Sequence, residues 1–230
     1  MIAVIANTVA ILVGGFLGLL FGNKIKQDYS KTIMCGLGIC TMVIGITGAI
    51  TTENILLVIL CLVIGTILGE WLNIEKRLDS AGEWLKRRVA KNRGGRFTEG
   101  FVTASLLFCV GSMAVMGSLD AGIRGDYSTI FTKSILDGVM SVTFAATMGV
   151  GVLFSALSIF VYQGALTLLA GLVEPLLSVE AIGEMSAVGG ILLIGTGINI
   201  LGLTKERIRV GNMLPALLFP AIWFAIENLF

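Results

Sequence analysis

The chain has 230 residues, of which 56% are hydrophobic and 13% are charged, and its mean hydropathy is +0.95. Soluble domains carry about 25% charged residues, so a soluble fold of this size could not cover so much apolar surface. The net charge of +1 gives no reason to expect nucleic acid as a partner. The composition therefore predicts a membrane protein whose main partner is the lipid bilayer.

Apolar segments follow one another along the chain, each close to the ~20 residues that a helix needs to cross the hydrocarbon core. They are too long and too continuously apolar for barrel strands, so helices are favoured. The predicted spans are residues 2–22, 32–51, 54–72, 100–119, 131–149, 151–173, 185–203 and 212–229. The fold class is thus all-α, a polytopic membrane helix bundle of about eight transmembrane helices in a single membrane domain, 1–230.

The basic residues lie on one side of these spans. Segments 23–31, 73–99 and 204–211 hold every Lys and Arg except Arg124 and Lys133. Because basic connections stay in the cytoplasm, 73–99 is predicted to be a basic cytoplasmic connector. The same asymmetry predicts a multi-pass protein of the inner (cytoplasmic) membrane with both termini outside.

The junction between the fifth and sixth spans has no polar loop. Only Gly149-Val150-Gly151 could turn the chain there. The turn is either a tight hairpin at the cytoplasmic interface or a re-entrant break between shorter segments. A break is allowed only where protein or a water-filled cavity surrounds the backbone.

An internal repeat is indicated by two similar stretches. Residues 28–36 read DYSKTIMCG, and residues 126–138 begin with DYS and end with KSILDG. Each stretch joins the first and second helices of a three-helix unit, and a second unit of three spans must be inverted. The predicted organisation is a first repeat 1–72, an inverted repeat 100–173 and two C-terminal helices in 174–230. Such 3+3 inverted repeats recur in secondary transporters, with the substrate site between the halves.

Glycines are spaced for close helix packing. Gly14, Gly18 and Gly22 recur on one face of the first span, and Gly65 and Gly69 do so on the third. Small residues let helix backbones approach in lipid. The first set predicts either packing within one subunit or a homodimer through Gly14, Gly18 and Gly22.

Asp137 is the one acid deep in a long apolar run, and Lys133 lies four residues earlier on the same helix face. An ionisable group within the membrane is costly and is a functional-site hypothesis by default. Two interpretations are open. The pair extends to the outer interface, or Asp137 belongs to a cation or proton site or a gate.

Other polar residues in the spans serve either as interhelical hydrogen bonds or as the lining of a narrow path. The candidate ion or solute pathway comprises Asp137, Ser112, Gln163, Thr196, Asn199, Ser141 and Asp120. Histidine is absent, and there is no Ser-His or Cys-His pair and no phosphate-binding motif. The sequence therefore predicts neither an enzyme nor a cofactor, and it leaves open whether a metal binds.

Long stretches of the chain resemble a known family. They are residues 101–128 (FVTASLLFCVGSMAVMGSLDAGIRGDYS), KSILDG, VGVLFSAL, YQGALTLLAG and residues 188–217. They are similar to the "domain of unknown function 554" family of bacterial inner-membrane proteins (YqgA-like and YdfK-like), with one departure at Ser112, where the family is expected to have Pro. The resemblance implies a multi-span membrane protein, often regarded as a transport protein, with no established substrate.

The leading hypothesis is a secondary transporter or channel for a small ion or solute, with its pathway between the inverted halves. Asp137 would be its charged element. The alternative is a non-transporting membrane scaffold or assembly factor that acts through the basic segment 73–99, where Arg87 and Arg88 would contact a partner or anionic lipid.

Overall fold

The computed structural model describes residues 1–22, 27–77, 79–80, 83, 97–109, 112–173 and 177–227, without the side chains of residues 27, 28, 30, 112 and 173. Within these ranges the chain forms helices and no strand, which confirms the predicted all-α class. The basic connector 73–99 lies mostly outside the described residues. The scaffold hypothesis, which depends on Arg87 and Arg88, therefore lies outside them too.

Each predicted span coincides with one helix or with successive helical segments. The helices are α1 Ile2–Gly22, α2 Gln27–Ala49, α3 Ile55–Leu72, α4 Phe97–Cys109, α5 Ser112–Ile123, α6 Ser128–Met148, α7 Gly151–Leu168, α8 Ala170–Val173, α9 Val179–Leu201, α10 Val210–Met213 and α11 Phe219–Glu227. A 3-10 turn, Leu214–Leu218, joins α10 to α11.

Among the described residues, 6 helical stretches are long and apolar enough to cross a membrane. They are α1, the part of α2 from Lys31 to Ala49, α3, α7, α9 and the run Val210–Glu227. The bent pair α4–α5, whose axes meet at 58°, raises the number to 7. Helix α6 is also long, with 21 residues, but Lys133 and Asp137 lower its hydropathy. The count of eight crossings stays a prediction.

Helix ends follow local capping chemistry. The Asn54 side chain accepts the N–H of Leu57 at 3.1 Å and begins α3, while Asn73, at φ 51°, ends it in the left-handed conformation. The Ser178 hydroxyl accepts the N–H of Ala181 at 3.1 Å, so α9 begins at Val179 rather than near residue 185 as predicted. Gly202, at φ 64°, ends α9.

The junction between α6 and α7 is a tight turn of Gly149 and Val150. Gly149, at φ 84°, donates its N–H to the carbonyl of Ala145 at 3.0 Å. The flanking helices are 21 and 18 residues long. Full-length helices on both sides favour the tight hairpin over a break between shorter segments.

The chain divides into two compact units. The first consists of Met1–Met34, Leu78–Cys109 and Met113–Leu169, and the second of Cys35–Arg77, Val110–Ser112 and Ala170–Phe230. Their boundaries do not follow the predicted repeats, since α1 belongs to the first unit and α3 to the second. The inverted repeat therefore stays a prediction.

In the first unit, α1 packs closely along α6. A side chain at Gly14 would overlap the carbonyl of Gly138, and one at Gly18 would overlap that of Val142. Residue numbers rise together along this contact, so the two helices are parallel. The face of Gly14, Gly18 and Gly22 is thus used within the chain, and a homodimer would have to use another face.

Two further contacts set helix directions in the first unit. Along α4 and α7, Gly100 faces Val152 and the Ser105 hydroxyl donates to that of Ser158 at 3.0 Å, so these helices are parallel. Along α1 and α7, Gly15 faces Leu153 whereas Asn7 contacts Gln163, so they are antiparallel.

In the second unit, other glycines allow helices to pack closely in antiparallel pairs. Along α2 and α9, Gly38 faces Gly197 and Gly45 faces Gly190. Along α3 and the run 210–227, Gly65 faces Ala216 and Gly69 faces Asn212. Backbone contact replaces side-chain contact at each of these crossings, which is how helices associate where lipid supplies no hydrophobic drive.

Candidate functional site: a buried polar cluster in the first unit

Lys133 and Asp137 form an ion pair near the middle of α6. The Lys133 Nζ lies 2.8 Å from Asp137 Oδ1 and 2.7 Å from Oδ2. Their side chains are only 8% and 5% exposed. The pair is therefore buried within the protein, and its depth in the membrane stays a prediction. An ion pair buried so deeply has lost the hydration of both charges and needs further hydrogen bonds to persist.

Asn7 of α1 supplies one of those hydrogen bonds. Its Nδ2 donates to Asp137 Oδ2 at 3.0 Å and to Gln163 Oε1 of α7 at 3.1 Å. Asn7 and Gln163 are both fully buried. The side chains of α1, α6 and α7 thus meet at one place in the first unit.

Sequence reasoning missed Asn7. The available signal is its position, because it is an amide among the apolar residues MIAVIANTVAILVGG at the start of the chain. A buried amide needs a partner, and no neighbour in that stretch carries a complementary charge. An isolated amide in an apolar run was therefore a usable clue to a long-range hydrogen bond.

The orientations of the two amides follow from chemistry. Asn7 must turn its nitrogen toward the Asp137 carboxylate, because its oxygen would face a negative charge. Gln163 must then present its oxygen to that nitrogen. Asn7 Oδ1 and Gln163 Nε2 are left buried with no hydrogen-bond partner among the described residues.

Two hydroxyl groups are also buried without a hydrogen-bond partner. Ser141 Oγ lies one turn beyond Asp137 on α6, and Thr167 Oγ1 lies one turn beyond Gln163 on α7. In the described part of the chain, these four groups are all the buried side-chain N and O atoms without a partner. We call the six residues Asn7, Lys133, Asp137, Ser141, Gln163 and Thr167 the polar cluster.

Two of the predicted pathway residues, Asp137 and Gln163, therefore come together through Asn7, and a third, Ser141, lies one turn from Asp137 on α6. Asp120 does not join the polar cluster. Asp120 of α5 is partly exposed and pairs with Arg124 at 3.2 Å. Ser112 begins α5, and its side chain lies outside the described part of the structure.

Thr196 and Asn199 belong to α9 in the second unit, where each bonds locally. The Thr196 hydroxyl donates to the Leu192 carbonyl at 2.9 Å. The Asn199 side chain accepts the N–H of Ile208 and donates to its carbonyl, each at 2.8 Å, and so holds the segment that follows α9. Neither of these hydrogen bonds joins two helices, so they differ from the interhelical hydrogen bonds that the sequence predicted.

A second buried acid, Glu184 of α9, was not singled out from the sequence. It is 4% exposed and accepts hydrogen bonds from the Thr52 hydroxyl at 2.6 Å and from the N–H groups of Glu53 and Asn54 at 2.9 and 3.1 Å. These partners lie at the start of α3, where free N–H groups favour a negative charge. Glu184 was overlooked because the predicted seventh span began just after it.

At the other end of α3, polar contacts tie residues 70–75 to residues 209–212. Glu75 Oε2 accepts the N–H of Gly211 at 2.6 Å, and the N–H of Glu75 donates to Asn212 Oδ1 at 2.7 Å. Arg209 pairs with Glu70 at 3.2 Å. No group of three His, Cys, Asp or Glu side chains in the described ranges is arranged to hold a metal ion.

Residues 2–225 match the family described as "Protein of unknown function (DUF554)". The chain belongs to this family. The DUF554 protein is 35% identical over 235 aligned positions to "Uncharacterized membrane protein YdfK" of Bacillus subtilis (strain 168), an alignment that covers 100% of this chain and 98% of that relative. These matches confirm the resemblance found in the sequence. Together with the long apolar helices, they identify the DUF554 protein as a membrane protein.

A second relative is "Uncharacterized protein YqgA" of Escherichia coli (strain K12), which is 30% identical over 230 aligned positions. The alignment covers 95% of this chain and 97% of that relative. No solved structure matches the DUF554 protein.

Proposed function

We propose that the DUF554 protein is a secondary transporter or channel for a small ion or solute, and that its pathway passes the polar cluster. The observation that carries the proposal is a buried ion pair surrounded by polar atoms that lack partners. Charges within a membrane protein are costly and typically line solute or ion paths. A purely structural pair gains nothing from four unpartnered polar groups beside it, since each lowers stability. The proposal assigns no enzymatic activity.

A broken span next to the cluster supports this proposal. Helix α4 ends at Cys109, α5 begins at Ser112, and the two axes differ by 58°. The Ser105 hydroxyl of α4 donates to that of Ser158 on the parallel helix α7 at 3.0 Å, so Cys109, one turn further along α4, lies near the level of Gln163. Interrupted helices are typical of the substrate sites of secondary transporters.

The cluster also draws on both predicted halves. Asn7 comes from the stretch 1–72, whereas Asp137 and Gln163 come from 100–173. A pathway between inverted halves, with two C-terminal helices added, requires such a shared site.

Eight crossings, with both termini outside the inner membrane, are part of the proposal. If successive spans alternate, α1, α3, α6 and α9 run inward, and α2, α4–α5, α7 and the run 210–227 run outward. Alternation then requires α1 to be parallel to α6 and α4 to α7. It requires α1 to be antiparallel to α7, α2 to α9, and α3 to 210–227. All five packed pairs have the required direction.

Transport by the purified protein in liposomes tests the proposal. Flux of K⁺, Na⁺, H⁺, Cl⁻ and small neutral solutes is measured for the wild type and for the double variant Lys133→Met, Asp137→Leu. The double variant should stay folded, because replacing a buried ion pair by apolar residues is often neutral for stability. We expect its flux to fall by about tenfold or more, since the charged element is gone.

The matched control removes an exposed ion pair instead. Arg209 and Glu70 are 66% and 43% exposed, and the double variant Arg209→Gln, Glu70→Gln should transport as the wild type does. Wild-type flux in the Lys133 and Asp137 double variant would place the pathway elsewhere. Absence of flux for every tested species in the wild type would contradict transport itself.

A further inference from the structure

The unpartnered groups of the polar cluster form a column along the helices. Helices α6 and α7 run in opposite directions, because α1 is parallel to the first and antiparallel to the second. Ser141, one turn after Asp137 on α6, therefore lies on one side of the Asn7–Gln163 contact along the helix axes. Thr167, one turn after Gln163 on α7, lies on the opposite side. The order along the column is Thr167, then the two amides, then Ser141, which lies against Gly14 of α1.

The positive charge of Lys133 and the negative charge of Asp137 beside the column balance each other. Lys133 bonds both oxygens of Asp137, so the cluster has no net charge that a bound ion would neutralise. A bound ion would add an uncompensated charge to a site from which water is largely excluded.

The two free amide atoms exclude ions of either sign. Gln163 Nε2 is a donor only and would repel a cation, as would the ammonium of Lys133. Asn7 Oδ1 is an acceptor only and would repel an anion, as would Asp137. The amides are joined by the 3.1 Å hydrogen bond between Asn7 Nδ2 and Gln163 Oε1, so the free acceptor and the free donor belong to neighbouring groups.

We infer that the polar cluster binds a small neutral solute that carries a hydrogen-bond donor and acceptor on neighbouring atoms, the carboxamide and urea class. The carbonyl of such a solute accepts from Gln163 Nε2, and its N–H donates to Asn7 Oδ1. The hydroxyls of Thr167 and Ser141 donate or accept as needed and receive the solute on either side of the amides. This inference rests on the proposed transport function and names its substrate class.

The wild-type protein in liposomes provides the first test. Permeability to urea and formamide is measured by stopped-flow light scattering, beside water, K⁺, Na⁺, H⁺ and Cl⁻. We expect urea and formamide to cross faster than in protein-free liposomes while the ions do not. Ion flux without urea or formamide flux would overturn the solute class and leave transport intact. Water flux alone would also overturn the carboxamide class, and no flux of any kind would count against transport as well.

Two variants test the column itself. Thr167→Val and Ser141→Ala remove hydroxyls that have no partner in the fold, so thermal stability should stay the same or rise. Urea permeability should fall about two- to tenfold, the worth of one hydrogen bond to the moving solute. A purely structural role would instead move stability and permeability together.

Ser155→Ala is the control for these variants. Ser155 is equally buried on α7, but its hydroxyl donates to the Val152 carbonyl at 2.6 Å and lies outside the polar cluster. This change should leave urea permeability at the wild-type value. Thr167→Val and Ser141→Ala proteins that conduct urea as fast as the wild type would overturn the column as the binding site.

Discussion

At the scale of single residues, burial decides what the Lys133–Asp137 pair can do. Four residues of sequence separation placed both side chains on one face of α6. Spacing could not tell whether that face meets lipid headgroups or other helices. The contacts of Asp137 with Asn7 answer this, because Asn7 lies 130 residues away and is itself fully buried.

Removing one partner of the pair should be more harmful than removing both. Asp137→Asn leaves the Lys133 ammonium buried without its counter-charge, so we expect the free energy of unfolding to fall by about 3–5 kcal/mol. In the double variant Lys133→Met, Asp137→Leu we expect a loss of no more than about 1 kcal/mol, because no charge is then left unpaired. Denaturant unfolding in detergent micelles measures both.

A single variant as stable as the wild type would show that water reaches Lys133 and that the pair is not buried in solution. The exposed pair Arg209–Glu70 is the matched control, since loss of one partner there should change stability by about 1 kcal/mol at most.

At the scale of helices, glycine positions determine which faces meet. The spacing of Gly14, Gly18 and Gly22 was visible in the sequence, but the partner helix was not. The partner is α6, whose Gly138 and Val142 carbonyls lie where side chains on α1 would be. This close, parallel approach brings the Asn7 side chain within 3.0 Å of Asp137. The packing of α1 against α6 therefore also assembles the polar cluster.

A larger side chain on this face should separate α1 from α6. Gly18→Val would overlap the Val142 carbonyl and crowd the Cβ of Ala145 at 3.0 Å, so we expect a loss of about 1–3 kcal/mol in the free energy of unfolding. Because the polar cluster depends on the same contact, transport should fall as well.

Gly36→Val on α2 is the control, since no atom lies within 4 Å of the position that its Cβ would take. Stability and transport should stay close to the wild-type values in that variant. Equal losses in the two variants would mean that the general effect of valine in a helix, and not the α1–α6 contact, is responsible.

At the scale of the whole molecule, hydropathy and charge summed along the chain predicted more of the structure than did any inference about which helices pack together. Hydropathy summed over about 20 residues located the helices, and the distribution of Lys and Arg set an expected orientation. The single span predicted at 100–119 corresponds instead to two helices, α4 and α5, whose axes differ by 58°.

Labelling from one side of the membrane tests the orientation. In a variant whose four cysteines are replaced by alanine, Glu53→Cys or Lys205→Cys provides a single thiol. A membrane-impermeant maleimide should label the first in intact cells, because residues 51–54 are predicted to lie outside. It should label the second only after permeabilisation, since 204–211 is predicted to be cytoplasmic. The reverse pattern would invert the topology, and labelling of both in intact cells would contradict an odd number of crossings between the two sites.

By itself, the sequence determined the membrane class, the helix positions and the family, and it singled out Asp137 as a candidate. Each of these depends on the chemistry of neighbouring residues or on their sum over one span. Tertiary structure alone decided that Asn7 completes the site and that Thr196 and Asn199 bond elsewhere. It also decided that Glu184 anchors the start of α3. The physical reason is that hydropathy and charge are properties of each segment, whereas hydrogen-bond partners depend on which helix faces pack and in which direction.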